Sequence, residues 1–217
     1  MTPKLSEREE FAAFVLRMRG RGLNDPRLFT AIEVTPRRGF VNGLWADVAY
    51  KNRTIPLDCG EYIEGLDDQA RLISALGIEE GQRVLEIGTG SGFTASIMGR
   101  LGGRVTTIER YKTLVEQTRQ RLQALKIENV VVKHADGRHG PPGGGPFDRI
   151  IVWPAFESMP RHFVDLLASN GVMIAPIGPG DGQQVMSRLS KIGSRFERED
   201  LMLVRYQPFI ESIASVL

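Results

Sequence analysis

Apolar residues recur at helical spacing early in the chain and in short strand-like runs through its second half. Over 5–19, Phe11, Phe14, Val15 and Met18 form one stripe among charged residues, which predicts an amphipathic helix ended by Gly20 and Gly22. Asp25 and Pro26 supply an N-cap and a first-turn proline for a second helix, and Pro36 closes it. Between 37 and 65 no period holds and turn formers are frequent, so this stretch is expected to be irregular and laid over other structure.

From residue 66 the pattern changes. Leu72, Ile73 and Leu76 mark a helix with Asp67 or Asp68 near its start. Strands are expected at 83–88, 104–109, 129–134, 148–153 and 171–177, and helices at 92–101, 111–126 and 160–168. Short apolar strands alternating with helices mean βαβ units and a parallel sheet. The segments 183–192 and 196–206 read as two more strands, an antiparallel end to that sheet. Pro141 to Pro146 is a loop by composition. The expected class is α/β: a doubly wound, mostly parallel Rossmann-like sheet with N-terminal helices and an antiparallel C-terminal strand pair. Residues 1–65 would form the helices and a loop over the site, and 66–217 the ligand-binding domain, in one compact unit.

Composition narrows the function classes. The 217 residues are 41% hydrophobic and 25% charged, enough for a sizeable core without metal or disulfide support. Cys59 is the single cysteine, so no intrachain disulfide can form. The start of the chain carries acids and no apolar core of a signal peptide, and no apolar run is long enough to span a bilayer. A cytoplasmic protein with no membrane partner is expected. A net charge of +2 is too weak to point to nucleic acid. Arg188, Lys191, Arg195 and Arg198 are the nearest thing to a basic cluster, and a solvated edge accounts for them.

The chemistry centres on Val84 to Gly92, a strand running into a glycine-rich turn before a helix. Such a turn lets the backbone bend sharply and a ligand come close, and it lies at the switch point of a doubly wound sheet. A dinucleotide fingerprint needs a third glycine where Phe93 stands; here that glycine comes one residue early, at Gly92. Gly88, Thr89, Gly90, Ser91 and Gly92 after an acidic strand end fit an S-adenosylmethionine site instead. Glu86 would meet the cofactor's ammonium through water. Glu109, ending the second strand, would accept the ribose hydroxyls, and Asp136, after the third, would take the adenine amine. Three acids at successive strand ends make the set specific.

These residues lie in a chain that resembles the protein-L-isoaspartate O-methyltransferase family from about residue 18 to 208. The resemblance runs through Arg21 to Arg27, Val34 to Phe40, Ala49-Tyr50, Ile55-Pro56, Val84 to Gly92, Ile108 to Arg110, Asp136-Gly137, Phe147 to Val152, Met159-Pro160, Gly171 to Gly178 and Val204 to Pro208. It implies the Rossmann-like fold, S-adenosylmethionine as cofactor, and methyl esterification of isoaspartyl carboxylates in damaged protein or peptide substrates. It also implies that Gly137, Ile63 and Gln69 join the cofactor-binding set.

The family's active-site loop, typically G-Q-T-I-S-Q-P, reads Gly60-Glu61-Tyr62-Ile63-Glu64-Gly65-Leu66 here. Glu64 stands at the family's serine and Tyr62 at its threonine, and these two are the catalytic candidates. A carboxylate acceptor is already ionised at neutral pH and needs only to be held in line. An ionised Glu64 can donate no hydrogen bond and would repel that acceptor by ~1 kcal/mol in water, rising to ~4 kcal/mol at an effective dielectric of about 20. Glu64 escapes the conflict by being protonated or by pointing away.

Three readings therefore stay open: the family activity, transfer to a different neutral or cationic acceptor with Glu64 as base, and a non-catalytic cofactor-binding protein. Asp58, Glu61, Glu64, Asp67 and Asp68 either make such a cationic site or serve a helix N-terminus and face water. Trp153 and Phe156 replace small residues of the family and would fill the acceptor wall, stack on a substrate, or pack as core. His134, His139 and His162 show no metal-ligand spacing. An acidic surround argues against a reactive Cys59.

Overall fold

The computed structural model describes residues 5–141 and 144–214. The first residues of the acidic N-terminus, and Pro142 and Gly143 of the proline-glycine loop, lie outside the described residues.

Helix α1 (Glu7–Gly20) opens on a capping box in which the Ser6 side chain accepts from Glu9 N while the Glu9 carboxylate accepts from Ser6 N. Helix α2 (Pro26–Glu33) has Asp25 as N-cap and Pro26 in its first turn, as the sequence predicts. The irregular stretch holds short 3-10 turns at Arg37–Phe40, Gly43–Val48 and Asp58–Gly60. It also holds a two-residue antiparallel ribbon, β1 (Ile55–Pro56) with β2 (Tyr62–Ile63). Helix α3 (Leu66–Leu76) follows at once, with Asp67 and Asp68 in its first turn.

The remainder is β3 (Arg83–Ile87), α4 (Phe93–Arg100), β4 (Arg104–Glu109), α5 (Lys112–Ala124), β5 (Val130–His134), β6 (Phe147–Val152), β7 (Leu167–Ile177), β8 (Gln184–Ile192) and β9 (Arg195–Val204). Seven strands form one sheet in the order β5-β4-β3-β6-β7-β8-β9. It is parallel from β5 to β7 and antiparallel from β7 to β9. The connection from β3 runs to β4 on one side and that from the adjacent β6 runs to β7 on the other, and these opposite directions open a crevice beyond their C-terminal ends.

One expectation fails. The helix expected at 160–168 is a 3-10 turn, Arg161–Leu166, and β7 begins at Leu167 instead of 171. Pro160 restricts the entry, and Phe163 and Leu167 are buried from the turn and the strand respectively, a spacing that a sequence pattern cannot tell from helix. The basic cluster lies on the β8–β9 hairpin, where Arg188 pairs with Glu199 and Arg198 with Asp200 on a solvated edge.

The N-terminal helices do not form a separate layer. Phe14, Met18, Leu28 and Phe40 are buried in the same apolar cluster as Phe93, Ile97, Trp153 and Val204. This shared core presses 37–65 onto the crevice. Among the described residues no helix is long and apolar enough to cross a membrane.

Candidate active site

An open cleft lies at the C-terminal ends of β3, β4 and β6. Its floor is the glycine turn, Gly88 to Ser91; one wall is Glu109, Arg110, Asp136 and Gly137, and the other is Tyr62, Ile63, Glu64 and Gln69. Trp153, Pro154 and residues 207–210 complete the rim. Almost every predicted site residue therefore meets in one place, although the loop 60–66 and the glycine turn are far apart in sequence.

The floor depends on backbone freedom. Gly88, Gly90 and Gly92 have φ of 90°, 52° and 80°, a region that side chains with a Cβ rarely adopt. A Cβ at Gly92 would sit 2.4 Å from Thr118 Cγ2, so this glycine seats the turn on α5. Gly92 itself does not line the cleft; it caps α4. At Gly137 a Cβ would lie 2.4 Å from Ile87 Cγ2, so the loop after β5 can pass close to β3 only as glycine.

Glu109 is buried and accepts three backbone N–H groups, from Gly90 at 2.9 Å, Arg110 at 2.7 Å and Tyr111 at 3.1 Å. It ties the glycine turn to the end of β4. Burial pushes its carboxyl up and the three N–H donors pull it back. Asp136 accepts from Arg138 N at 2.9 Å and Ser212 N at 2.8 Å, which brings the C-terminal segment over the rim.

Glu86 occupies a different place from the expected one. It is fully buried behind the turn, and does not line the cleft. Its Oε1 accepts from Thr94 Oγ1 at 2.5 Å and Trp153 Nε1 at 3.0 Å, and its Oε2 from Thr107 Oγ1 at 2.7 Å. With both its oxygens accepting from protein donors, Glu86 orients Thr94 and Trp153, which do face the cleft. Burial nevertheless pushes its carboxyl up to about 7.

The acidic loop divides. Asp67 is wholly buried and paired with Arg17 at 2.6 Å and Arg21 at 2.8 Å, so it pins α3 to α1. Asp58 accepts from Gln117 on α5 at 2.6 Å. Glu61 and Glu64 face the cleft. Burial pushes Glu64 up to about 7 against the pull of its own backbone N–H, Arg37 and Gln69, and Tyr62 up to about 12.

Arg37, which lies in the family-like stretch Val34 to Phe40 but is not marked by the sequence as a site residue, is the largest fully buried side chain among the described residues. Its Nη2 donates to the Glu64 carbonyl at 2.8 Å and its Nη1 to Gln69 Oε1 at 2.5 Å, while the guanidinium stacks 4.5 Å from the Phe93 ring centre. Phe93, the residue that breaks the dinucleotide fingerprint, thus forms the seat for this arginine. Burial lowers Arg37 to about 10, still charged at neutral pH.

Among the other candidates, Phe156 packs with Phe163 and Phe209 in the core, whereas Trp153 reaches the cleft. His139 is exposed and packs on His162, away from the cleft. Burial and Asp58 push the Cys59 thiol up, which keeps it unreactive.

Known proteins resemble this chain in sequence and in fold. The sequence model of the protein-L-isoaspartate(D-aspartate) O-methyltransferase (PCMT) family matches residues 9–214. A protein-L-isoaspartate O-methyltransferase of Rhizobium meliloti is 46% identical over 93% of this chain and 99% of its own. One from Azorhizobium caulinodans is 39% identical over the whole of both chains. A solved protein-L-isoaspartate O-methyltransferase superposes with a TM-score of 0.81 at 24% identity, over 96% of this chain and 67% of its own. A Plasmodium falciparum candidate of the same name, in complex with S-adenosyl-L-homocysteine, gives 0.77 at 24% identity over 91% and 97%. These two likenesses speak for the fold. The sequence matches, which run through nearly the whole chain and both walls of the cleft, place this protein in the protein-L-isoaspartate(D-aspartate) O-methyltransferase family, as an S-adenosylmethionine-dependent methyltransferase.

Proposed function

We propose that this enzyme esterifies the free carboxylate of isoaspartyl residues in protein or peptide substrates. The observation that carries the proposal is the shared cleft: Tyr62 and Glu64 of the acceptor loop line the same space as Gly88, Gly90, Glu109 and Asp136. The cleft suits the cofactor in its donor set. The Glu109 and Asp136 carboxylates stand at successive strand ends for the ribose hydroxyls and the adenine amine. Gly88 and Gly90 leave a floor without side chains, and Ile63, Gln69, Thr89, Ser91 and Gly137 close around it.

When bound, S-adenosylmethionine supplies a methyl group activated by a sulfonium. The residues of this chain hold the acceptor carboxylate in line with that methyl and keep water out; no general base is called for, because the acceptor is ionised at neutral pH. Trp153, fixed through Glu86, narrows the acceptor side, and the loop 61–64 covers it.

The reading of Glu64 as base toward an amine or hydroxyl finds less support. Relatives as similar as 46% are named for isoaspartate, and a base at that position has no role in attack by a carboxylate.

The test is transfer of labelled methyl to an isoaspartyl peptide and to its aspartyl isomer, with cofactor binding followed by calorimetry. Selective labelling of the isoaspartyl peptide supports the proposal. Binding of cofactor with no label in that peptide overturns it.

A further inference from the structure

The acceptor loop presents a carboxyl group where its carboxylate substrate has to lie, and the hydrogen bonds around Glu64 say how. Arginine has no acceptor, so Gln69 must turn its oxygen toward Arg37 Nη1. Its amide N–H2 then faces Glu64, and donates to Oε2 over a long 3.5 Å. Oε2 is therefore an acceptor, and the backbone N–H of Glu64 donates to the same carboxyl. The guanidinium meanwhile binds the backbone carbonyl of Glu64, not its carboxyl, and so grips the loop without forming a direct ion pair with the side chain.

We propose that Glu64, which faces the cleft, works as a carboxylic acid, its carboxyl O–H donating a hydrogen bond to one oxygen of the isoaspartyl carboxylate while the other oxygen attacks the methyl group. The proposal rests on the isoaspartyl reading above. Glu64 would then be a catalytic residue that touches the acceptor, and Gln69 and Arg37 positioning residues behind it. The O–CH3 bond forms as the S–CH3 bond breaks, the bonding pair stays on sulfur, and Glu64 keeps its proton throughout. A carboxyl-to-carboxylate bond is of the short, charge-assisted kind.

The surroundings favour the acid form. Glu64 is 9% exposed, and its neighbours are mostly neutral or acidic: Gln69 from α3, Tyr62 from β2, Glu86 from β3 and Tyr206 after β9, whose buried hydroxyl has no partner. Burial outweighs the opposing pull of Glu64's own backbone N–H, of the Arg37 cation and of Gln69, which leaves the carboxyl at about 7. An arriving carboxylate raises it further, because two like charges cannot share the site.

The experiment is a pH series of kcat/KM with an isoaspartyl peptide, from about pH 5.5 to about 9, for wild type, Glu64→Gln and Glu64→Ser. The substrate carboxylate stays ionised throughout. The wild-type value should fall about tenfold per pH unit above the Glu64 midpoint. Both variants, whose donors do not titrate in this range, should lose that fall and overtake wild type by about tenfold near pH 9. In the cofactor-free protein, carboxyl carbon NMR should show a glutamate resonance titrating near neutrality that is missing from Glu64→Gln. If Glu64→Gln fails to fold, the serine variant and the wild-type NMR titration decide.

Wild-type turnover that is flat or rises across the range, or a Glu64 resonance titrating near the ordinary glutamate value, overturns the acid role and leaves the isoaspartyl assignment standing. Cofactor binding with no isoaspartyl transfer by any of the three proteins at any pH overturns both.

Discussion

The Arg37 guanidinium donates to the backbone carbonyl of Glu64 at 2.8 Å and to the side chain of Gln69 at 2.5 Å, from a position with no exposure to solvent. It is the link between the first 3-10 turn and the acceptor loop. Truncation would leave the Glu64 carbonyl and the Gln69 oxygen buried without a donor, each at about 1–3 kcal/mol. Arg37→Met also removes the cost of a buried charge, so the net loss is expected near 2 kcal/mol in urea unfolding. KM for the isoaspartyl peptide should rise more than the cofactor Kd, since the acceptor wall is what loosens. With the cation gone the Glu64 carboxyl should titrate higher still, which NMR would read directly.

Glu109→Gln tests the other wall. The carboxylate accepts three N–H groups from Gly90, Arg110 and Tyr111. An amide must turn its own N–H2 toward at least one of them. One bond, that from Gly90, is strained or lost at about 1 kcal/mol when the amide oxygen keeps Arg110 and Tyr111, and together with the lost charge toward the ribose hydroxyls this should weaken S-adenosylhomocysteine binding by roughly 10-fold. Calorimetry at fixed pH would show it; unchanged affinity would remove Glu109 from the cofactor site.

Most of the sheet was legible because its strands are short, apolar and bounded by turn formers, and β4 falls where the sequence puts it, Arg104–Glu109. The glycine turn was legible because few other sequences satisfy three positive φ angles in five residues. Arg37 was not: an arginine beside Arg38 and Gly39 looks like surface, and nothing local reveals that Phe93 and Gln69 close over it. Glu86 was misplaced for a related reason. The chain position of an acid at a strand end is visible, but its face is set by Thr94, Thr107 and Trp153, the last of these far along the sequence. The acidic run 58–68 likewise has one composition and several destinations, from the buried Asp67 ion pairs to the cleft-facing Glu64.

Stability should depend on pH in a definite direction. Glu64 and Glu86 both have folded-state values raised to about 7 by burial, above the ordinary glutamate value of 4.5. Their contribution is fully present below the unfolded value and is lost as pH rises through the folded one. Unfolding free energy in urea should therefore decline between about pH 4.5 and about pH 7 through these two groups, by up to about 3 kcal/mol for each if they titrate independently. Glu64→Gln should make that decline shallower. A wild-type curve that climbs over the same window, with an equal or smaller climb in Glu64→Gln, would mean that Glu64 is ionised in the folded protein.

Gly92 carries two separable demands, and a mutant cycle divides them. Its φ of 80° is costly for any residue with a Cβ, by roughly 1–2 kcal/mol. Its Cβ would also strike Thr118 Cγ2 at 2.4 Å, an overlap that adds about 1–3 kcal/mol. Gly92→Ala should thus destabilise the protein by about 2–5 kcal/mol in the wild-type background. In a Thr118→Ala background the overlap is gone and only the backbone term remains, so the same substitution should cost about 1–2 kcal/mol. Equal costs in the two backgrounds would show that α5 gives way at Thr118 without penalty, and that backbone conformation alone demands glycine at the head of α4.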